Sequence, residues 1–198
     1  MNNPVEVYDT FAEAWTLEVS RVLITAMTSE LAMGAANQFA GAGGSSMIGS
    51  KFNSGIERVA FPHETPDHRP GVFVSMAHVP DSREDLLKET ELRVALASLV
   101  PTVTIFDAAI PGVQTDTVNL HDKFDMSKVR WSEKDTERTV AGHVMCVVPT
   151  TTGEFAYEKN IKVSVEGTDG HFVCFAVNEA SAVAAILAAK DAIAVVDG

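Results

Sequence analysis

The stretch GIERVAFPHETPDHRPG, Gly55 to Gly71, gathers Glu57, Arg58, Glu64, Asp67 and Arg69 around three prolines, between two apolar runs. Arginine presents a planar fork matched to carboxylate or phosphate, and proline fixes φ and stiffens a loop. A rigid polar loop of this kind suits recognition of a polar, anionic small molecule. The same residues also suit a surface crossover laced with internal Arg–carboxylate pairs, and residue type alone leaves both readings open.

Other chemistries have weaker footing. GAGGSS at Gly41 to Ser46 follows a predicted helix and precedes a predicted strand, with no Lys-Ser/Thr after it, whereas a phosphate loop presents its amides at a helix N-terminus. It reads as a turn. Of six histidines, no pair has the helical spacing of a catalytic zinc site, so no metal is expected; His63 and His68 flank the polar loop. No Gly-x-Ser-x-Gly elbow occurs. Cys146 and Cys174 each lie inside an apolar run without close partners, the pattern of buried free thiols.

Composition narrows the partners. With 198 residues, 46% of them hydrophobic, the chain can bury a core in one large domain or two small ones. Fifteen Lys+Arg against 27 Asp+Glu give −12, which argues against nucleic acid and against an anionic membrane surface. No apolar run is long enough for a membrane helix, and the N-terminus lacks a basic segment followed by an apolar block. A soluble, cytoplasmic protein is expected.

The elements that must position the polar loop follow from periodicity. RVLITA (21–26) reads as a strand, and Thr28 opens a helix that ends at Gly41. SSMIGS (45–50) reads as a second strand and GVFVSMAH (71–78) as a third. Asp81 or Ser82 caps a helix carrying Leu86, Leu87, Leu92, Val94, Leu96 and Leu99 near helical spacing, stopped by Pro101, and TVTIF follows as a strand. This βαββαβ order predicts an α+β fold, a ferredoxin-like α/β sandwich over residues 1–115. Residues 116–139 read as a connection with a short strand near Val118 to Phe124. Residues 140–198 read as three strands, GHVMCVVP, NIKVSVEG and HFVCFAVN, and a helix from Glu179 to about Val195: a partial second lobe of similar type. Such a lobe leaves an apolar face to be covered by a partner chain or self-association.

DTFAEAW (9–15), RVLITA, GIERVAFPHETPDHRPGVFV (55–74) and VAGHVMCVVPTTTGEFAYEKNI (140–161) together resemble the formylmethanofuran:tetrahydromethanopterin formyltransferase family. The resemblance implies a cytoplasmic transferase of one-carbon metabolism and methanogenesis. It would move a formyl group between methanofuran and N5 of tetrahydromethanopterin, by attack of the pterin amine through a tetrahedral intermediate. No prosthetic group is implied; the two carriers are substrates. It also implies two lobes of related fold and assembly into dimers or tetramers, or with a partner chain completing the distal lobe. The family's catalytic carboxylate lies in a segment beyond this chain, so no catalytic residue is assigned. Glu57, Arg58, Glu64, Thr65, Asp67 and Arg69 are the expected substrate-binding residues. His68 stands where the family usually has Gly, and ALASLVPTVTIF (95–106) replaces a Thr/Pro-rich strand entry. The other reading is a non-catalytic relative that docks on a full-length formyltransferase or another complex of the same pathway.

Overall fold

The computed structural model describes residues 6, 15–41, 43, 49–50, 52–120, 136–150, 153–168 and 173–196. They form two compact units, one over 16–167 and the other within 1–15 and 168–198.

In the larger unit, β1 (Trp15–Thr25), α1 (Ser29–Ala40), β2 (Asn53–Ala60), β3 (Gly71–His78), α2 (Arg83–Ala97) and β4 (Thr104–Asp107) follow the expected βαββαβ order. The strands lie β2-β3-β1-β4 with antiparallel neighbours throughout, which is the arrangement of a ferredoxin-like sheet. β5 (Thr115–Asn119), β6 (Thr136–Val140), β7 (His143–Thr150), β8 (Gly153–Glu158) and β9 (Asn160–Thr168) extend the same sheet: β8 joins β4 in parallel, and β9 pairs with β1 and β5.

Strand alternation decides which residues meet the helices. Val22 and Ile24 of β1, with Val72, Val74 and Met76 of β3, pack beneath α1 and α2. Leu23, Phe73 and Phe106 point to the other face, where Met145, Val147 and Ala156 join them. α1 buries Ala32, Ala35, Ala36 and Phe39, so small residues let the helix approach the sheet while one aromatic fills the gap. Thr28 accepts the Leu31 amide as N-cap and Gly41, at φ 47°, ends the helix. Each large apolar side chain buried this way contributes about 1.5–3 kcal/mol.

The structure corrects several sequence expectations. Among the described residues the second strand is Asn53–Ala60; most of SSMIGS and most of GAGGSS fall outside the described residues. The polar segment therefore spends its first third as a strand, and only 61–70 is loop. β1 begins at Trp15, well before Arg21. Ser82 occupies the N-cap of α2 without a side-chain capping bond. α2 buries Leu86, Leu87, Thr90, Arg93, Val94 and Ala97, whereas Leu92 and Leu99 are exposed. The short strand expected near Val118 to Phe124 meets a strand at Thr115–Asn119, with 121–124 outside the described residues, and GEFAYE adds β8, which the expectation of three distal strands lacked. HFVCFAVN is no strand where it is described, at 173–178. Cys146 is buried, but Cys174 is only half-buried.

The smaller unit carries α3 (Glu179–Ile193), capped by Asn178, whose side chain accepts the Ser181 amide at 2.9 Å. None of its residues is buried. Val173, Phe175, Val177, Val183, Ile186, Leu187 and Ile193 are all exposed.

Candidate functional site

The residues singled out in the sequence divide into two groups. Glu57 is the extra residue of a β-bulge between Ile56 and Arg58 on the edge strand β2. Its carboxylate accepts from Arg21 Nε at 2.7 Å, and Arg21 Nη1 donates to the Ala108 carbonyl. Arg58, opposite Phe73 across the ladder, donates to Glu64 at 2.9 Å. The guanidinium carbons of Arg21 and Arg58 each lie 4.4 Å from the Phe73 ring centre, a cation–π arrangement. Glu57, Arg58 and Glu64 thus belong to a polar surface built on one aromatic ring.

Glu64 also folds the loop back on itself. It closes a short 3₁₀ turn, Pro62–Glu64, and accepts the Phe61 amide at 2.8 Å. That amide, with Arg58 in support, holds its carboxyl below the ordinary glutamate range. A depressed folded value means that the contribution is intact above the unfolded pKa and is lost as pH falls through the folded one. An NMR titration of Glu64 is expected to give a midpoint below that of a free glutamate, and Glu64→Gln to abolish this acid-side loosening of the loop. A midpoint at or above the free value refutes the cap.

Thr65, Asp67 and Arg69 form the second group. Thr65 is buried and donates back to the Pro62 and Arg69 carbonyls, tying the loop's ends together. His68 sits at φ 56°, the left-handed region that Gly occupies without cost. Asp67 accepts from Thr25 Oγ1 at 2.7 Å and from Arg69 Nε at 2.8 Å. Arg69 reaches across to the start of β4, donating to the Thr102 carbonyl at 2.7 Å and to Thr104 Oγ1 at 2.6 Å.

Asp67 and Arg69 of this second group line a cleft of about 570 Å³, within the range of small-molecule sites. Its floor is the whole turn Ser98–Thr104. Met27, Asp67 and Arg69 form part of its wall, and Arg138, Val140 and the start of β8 contribute as well. Arg138 and Glu154 pair at 2.6 Å with about half of each side chain exposed. Of the six expected residues, the cleft receives Asp67 and Arg69, while Glu57, Arg58, Glu64 and Thr65 do not line it. Thr102, Arg138 and Glu154 were missed: the sequence signals only a turn at Pro101, and the Arg138–Glu154 pair depends on a hairpin whose second strand was not foreseen.

Among the described residues, no three His, Cys, Asp or Glu side chains converge as metal ligands, and no helix is long and apolar enough to cross a membrane. Apolar side chains, hydroxyls and two Arg–carboxylate pairs surround this cleft on the sheet, a lining with the chemical character of a small-molecule site. Comparison with known proteins narrows the class. A family model described as formylmethanofuran-tetrahydromethanopterin formyltransferase matches residues 1–150, and the chain belongs to that family. Formylmethanofuran–tetrahydromethanopterin formyltransferases from Methanothermobacter thermautotrophicus and Archaeoglobus fulgidus are 35% and 36% identical to it, over 99% of this chain. The chain spans 64% of the length of each. The solved formyltransferase of Methanosarcina barkeri superposes with a TM-score of 0.82 at 34% identity, covering 98% of this chain and 63% of that one. The formyltransferase/hydrolase complex of Methylorubrum extorquens, solved with methylofuran, matches at 0.64 and 26%, covering 80% of this chain and 51% of its counterpart.

Proposed function

We propose that this chain serves formyl transfer between formylmethanofuran and tetrahydromethanopterin in the cytoplasm, as part of one-carbon metabolism and methanogenesis. The observation that carries the reading is continuity: the likeness to formyltransferases runs over 99% of the chain and is not confined to one motif. Attack of the pterin N5 amine on the formamide carbon builds charge on the formyl oxygen, so the protein's task is to hold two large carriers in line and place donors near that oxygen. No residue of this chain is assigned to the proton transfers.

The division into a lobe over 1–115, a connection over 116–139 and a partial lobe over 140–198 belongs to the same proposal, as do substrate-binding roles, by contact or by shaping the site, for Glu57, Arg58, Glu64, Thr65, Asp67 and Arg69. So does assembly. The exposed apolar residues of 173–196 favour cover by protein, from a second copy or from a partner chain completing the distal lobe. Formyl transfer followed by absorbance at high potassium phosphate, with native mass measured on the same sample, tests the reading. Transfer by an assembly larger than a monomer is the expected result. A folded assembly that binds neither carrier overturns it.

A further inference from the structure

We infer that Arg69 is a positioning residue, which acts on a bound carrier through the backbone of Thr102 at the floor of the cleft. The inference rests on the carrier-binding reading above and assigns a mode of action within it.

Every guanidinium nitrogen of Arg69 is committed to the protein. Nε and Nη2 hold Asp67 Oδ2, at 2.8 and 2.6 Å; Nη2 also donates to Thr25 Oγ1 at 3.0 Å and Thr104 Oγ1 at 2.6 Å; Nη1 donates to the Thr102 carbonyl at 2.7 Å. Asp67, only 11% exposed at its side chain, is seated in turn by the Thr25 hydroxyl. A guanidinium so engaged is poorly placed to present its fork to a ligand, and well placed to hold protein atoms still.

Thr102 is what it holds. Its φ is 69°, in the left-handed region, where a β-branched residue is strained. Such a conformation persists only when its surroundings over-determine it, and both ends of Thr102 are tied: Oγ1 accepts the Met27 amide at 3.1 Å, and the carbonyl accepts from Arg69. The turn so held supplies every cleft residue from Ser98 to Thr104. Without Arg69 the carbonyl is released and the turn relaxes toward an unstrained φ, while the ladder pairing Thr25 with Thr104 keeps β4 in place. The cleft floor then changes shape although the fold remains.

Glycine at 102 separates this role from direct contact, because glycine adopts the native φ without strain and needs no clamp to stay there. The experiment uses the full chain and four variants: Arg69→Ala, Thr102→Gly, their double mutant, and Asp67→Asn, which keeps the side chain's shape while removing the charge that seats Arg69. Binding of tetrahydromethanopterin and of formylmethanofuran is measured by calorimetry, and amide hydrogen exchange over 99–104 is followed in parallel. Arg69→Ala is expected to speed exchange in that segment but not in β3, and to weaken a carrier about tenfold; the double mutant is expected to recover most of that loss as a non-additive gain. Asp67→Asn should shift both readouts in the same direction, so an unfolded Arg69→Ala still leaves a test. Unchanged exchange over 99–104 overturns the inference. So does weakened binding that Thr102→Gly fails to recover, which would make Arg69 a direct contact. Faster exchange in a protein whose wild type binds neither carrier supports the clamp on the turn and overturns the carrier reading instead.

Discussion

Replacing Arg83 with alanine is expected to lower the free energy of unfolding by about 3 kcal/mol, because it strands a buried carboxylate. Glu18 is 4% exposed on β1, on the sheet face beneath the helices. Arg83, in the first turn of α2, donates to one of its oxygens twice, from Nε at 2.8 Å and Nη2 at 2.5 Å, while Oε2 is buried without a partner. Nη1 reaches Asp116 on β5 at 2.5 Å, and the bonds to Asp116 and then Glu18 hold the guanidinium's pKa above its ordinary value. Arg83 is itself a third exposed, which places the expected loss at the lower end of the range for a broken buried pair. The two carboxylates should respond unequally. Asp116 is mostly exposed, so Asp116→Ala is expected to cost less than about 1 kcal/mol. Glu18→Gln combined with Arg83→Met should regain most of the loss, since no uncompensated charge is left in the interior. Urea unfolding of the wild type and the three variants gives these values directly. A fully stable Arg83→Ala single mutant contradicts the account.

A comparable loss, again about 3 kcal/mol, is expected for Arg93→Ala, for a different reason. Arg93 lies almost wholly buried on α2 and donates from Nη1 to the Phe39 and Ala40 carbonyls at 2.9 and 2.8 Å, at the end of α1. Glu89, one turn earlier, orients it at 2.7 Å. Terminal carbonyls of a helix need donors from outside the helix, and charge-assisted bonds contribute roughly twice what neutral ones do. The same side chain explains Gly41. A Cβ built there would stand 2.3 Å from Arg93 Nη1, at a φ that already favours glycine. Gly41→Ala should therefore cost less in the Arg93→Ala background than in the wild type, by more than about 0.5 kcal/mol. Strictly additive costs in thermal unfolding would show that Arg93 is not what excludes the methyl group.

Much of the first lobe could be read from the sequence because its signals are local. Thr28 caps α1 through its own third neighbour, Gly41 ends it, and GVFVSMAH has the alternation of the strand it forms. Where distant residues decide, the reading failed. NSGIERVA does not read as a strand because it carries Glu57 and Arg58, which look like loop residues until a bulge and the Phe73 ring give them a place on an edge strand. GEFAYE went unrecognised because its strand character comes from pairing with both β7 and β4. The site followed the same rule. Arg–carboxylate pairing in the polar loop was legible from composition, and the pairs Arg58–Glu64 and Arg69–Asp67 exist. That Asp67 and Arg69 face a cleft while Glu57 and Arg58 do not depends on where the Thr102 turn and the β6–β8 strands arrive. Nothing in the loop's own residues encodes that.

The parallel seam between β4 and β8 bears on how the protein comes to function. Thr104 pairs with Ala156, bringing together chain segments far apart in sequence, and the cleft opens beside that seam. Its walls are drawn from Met27, from 67–69, from 98–104 and from 138–156, so loop closures of every length must be complete before it exists. Because long-range parallel pairing is intrinsically slow, the helices and the hairpin of β2 and β3 are expected to gain their structure ahead of the cleft. In a refolding chain the cleft is therefore expected to form after them, and its return reports that the seam between β4 and β8 is complete.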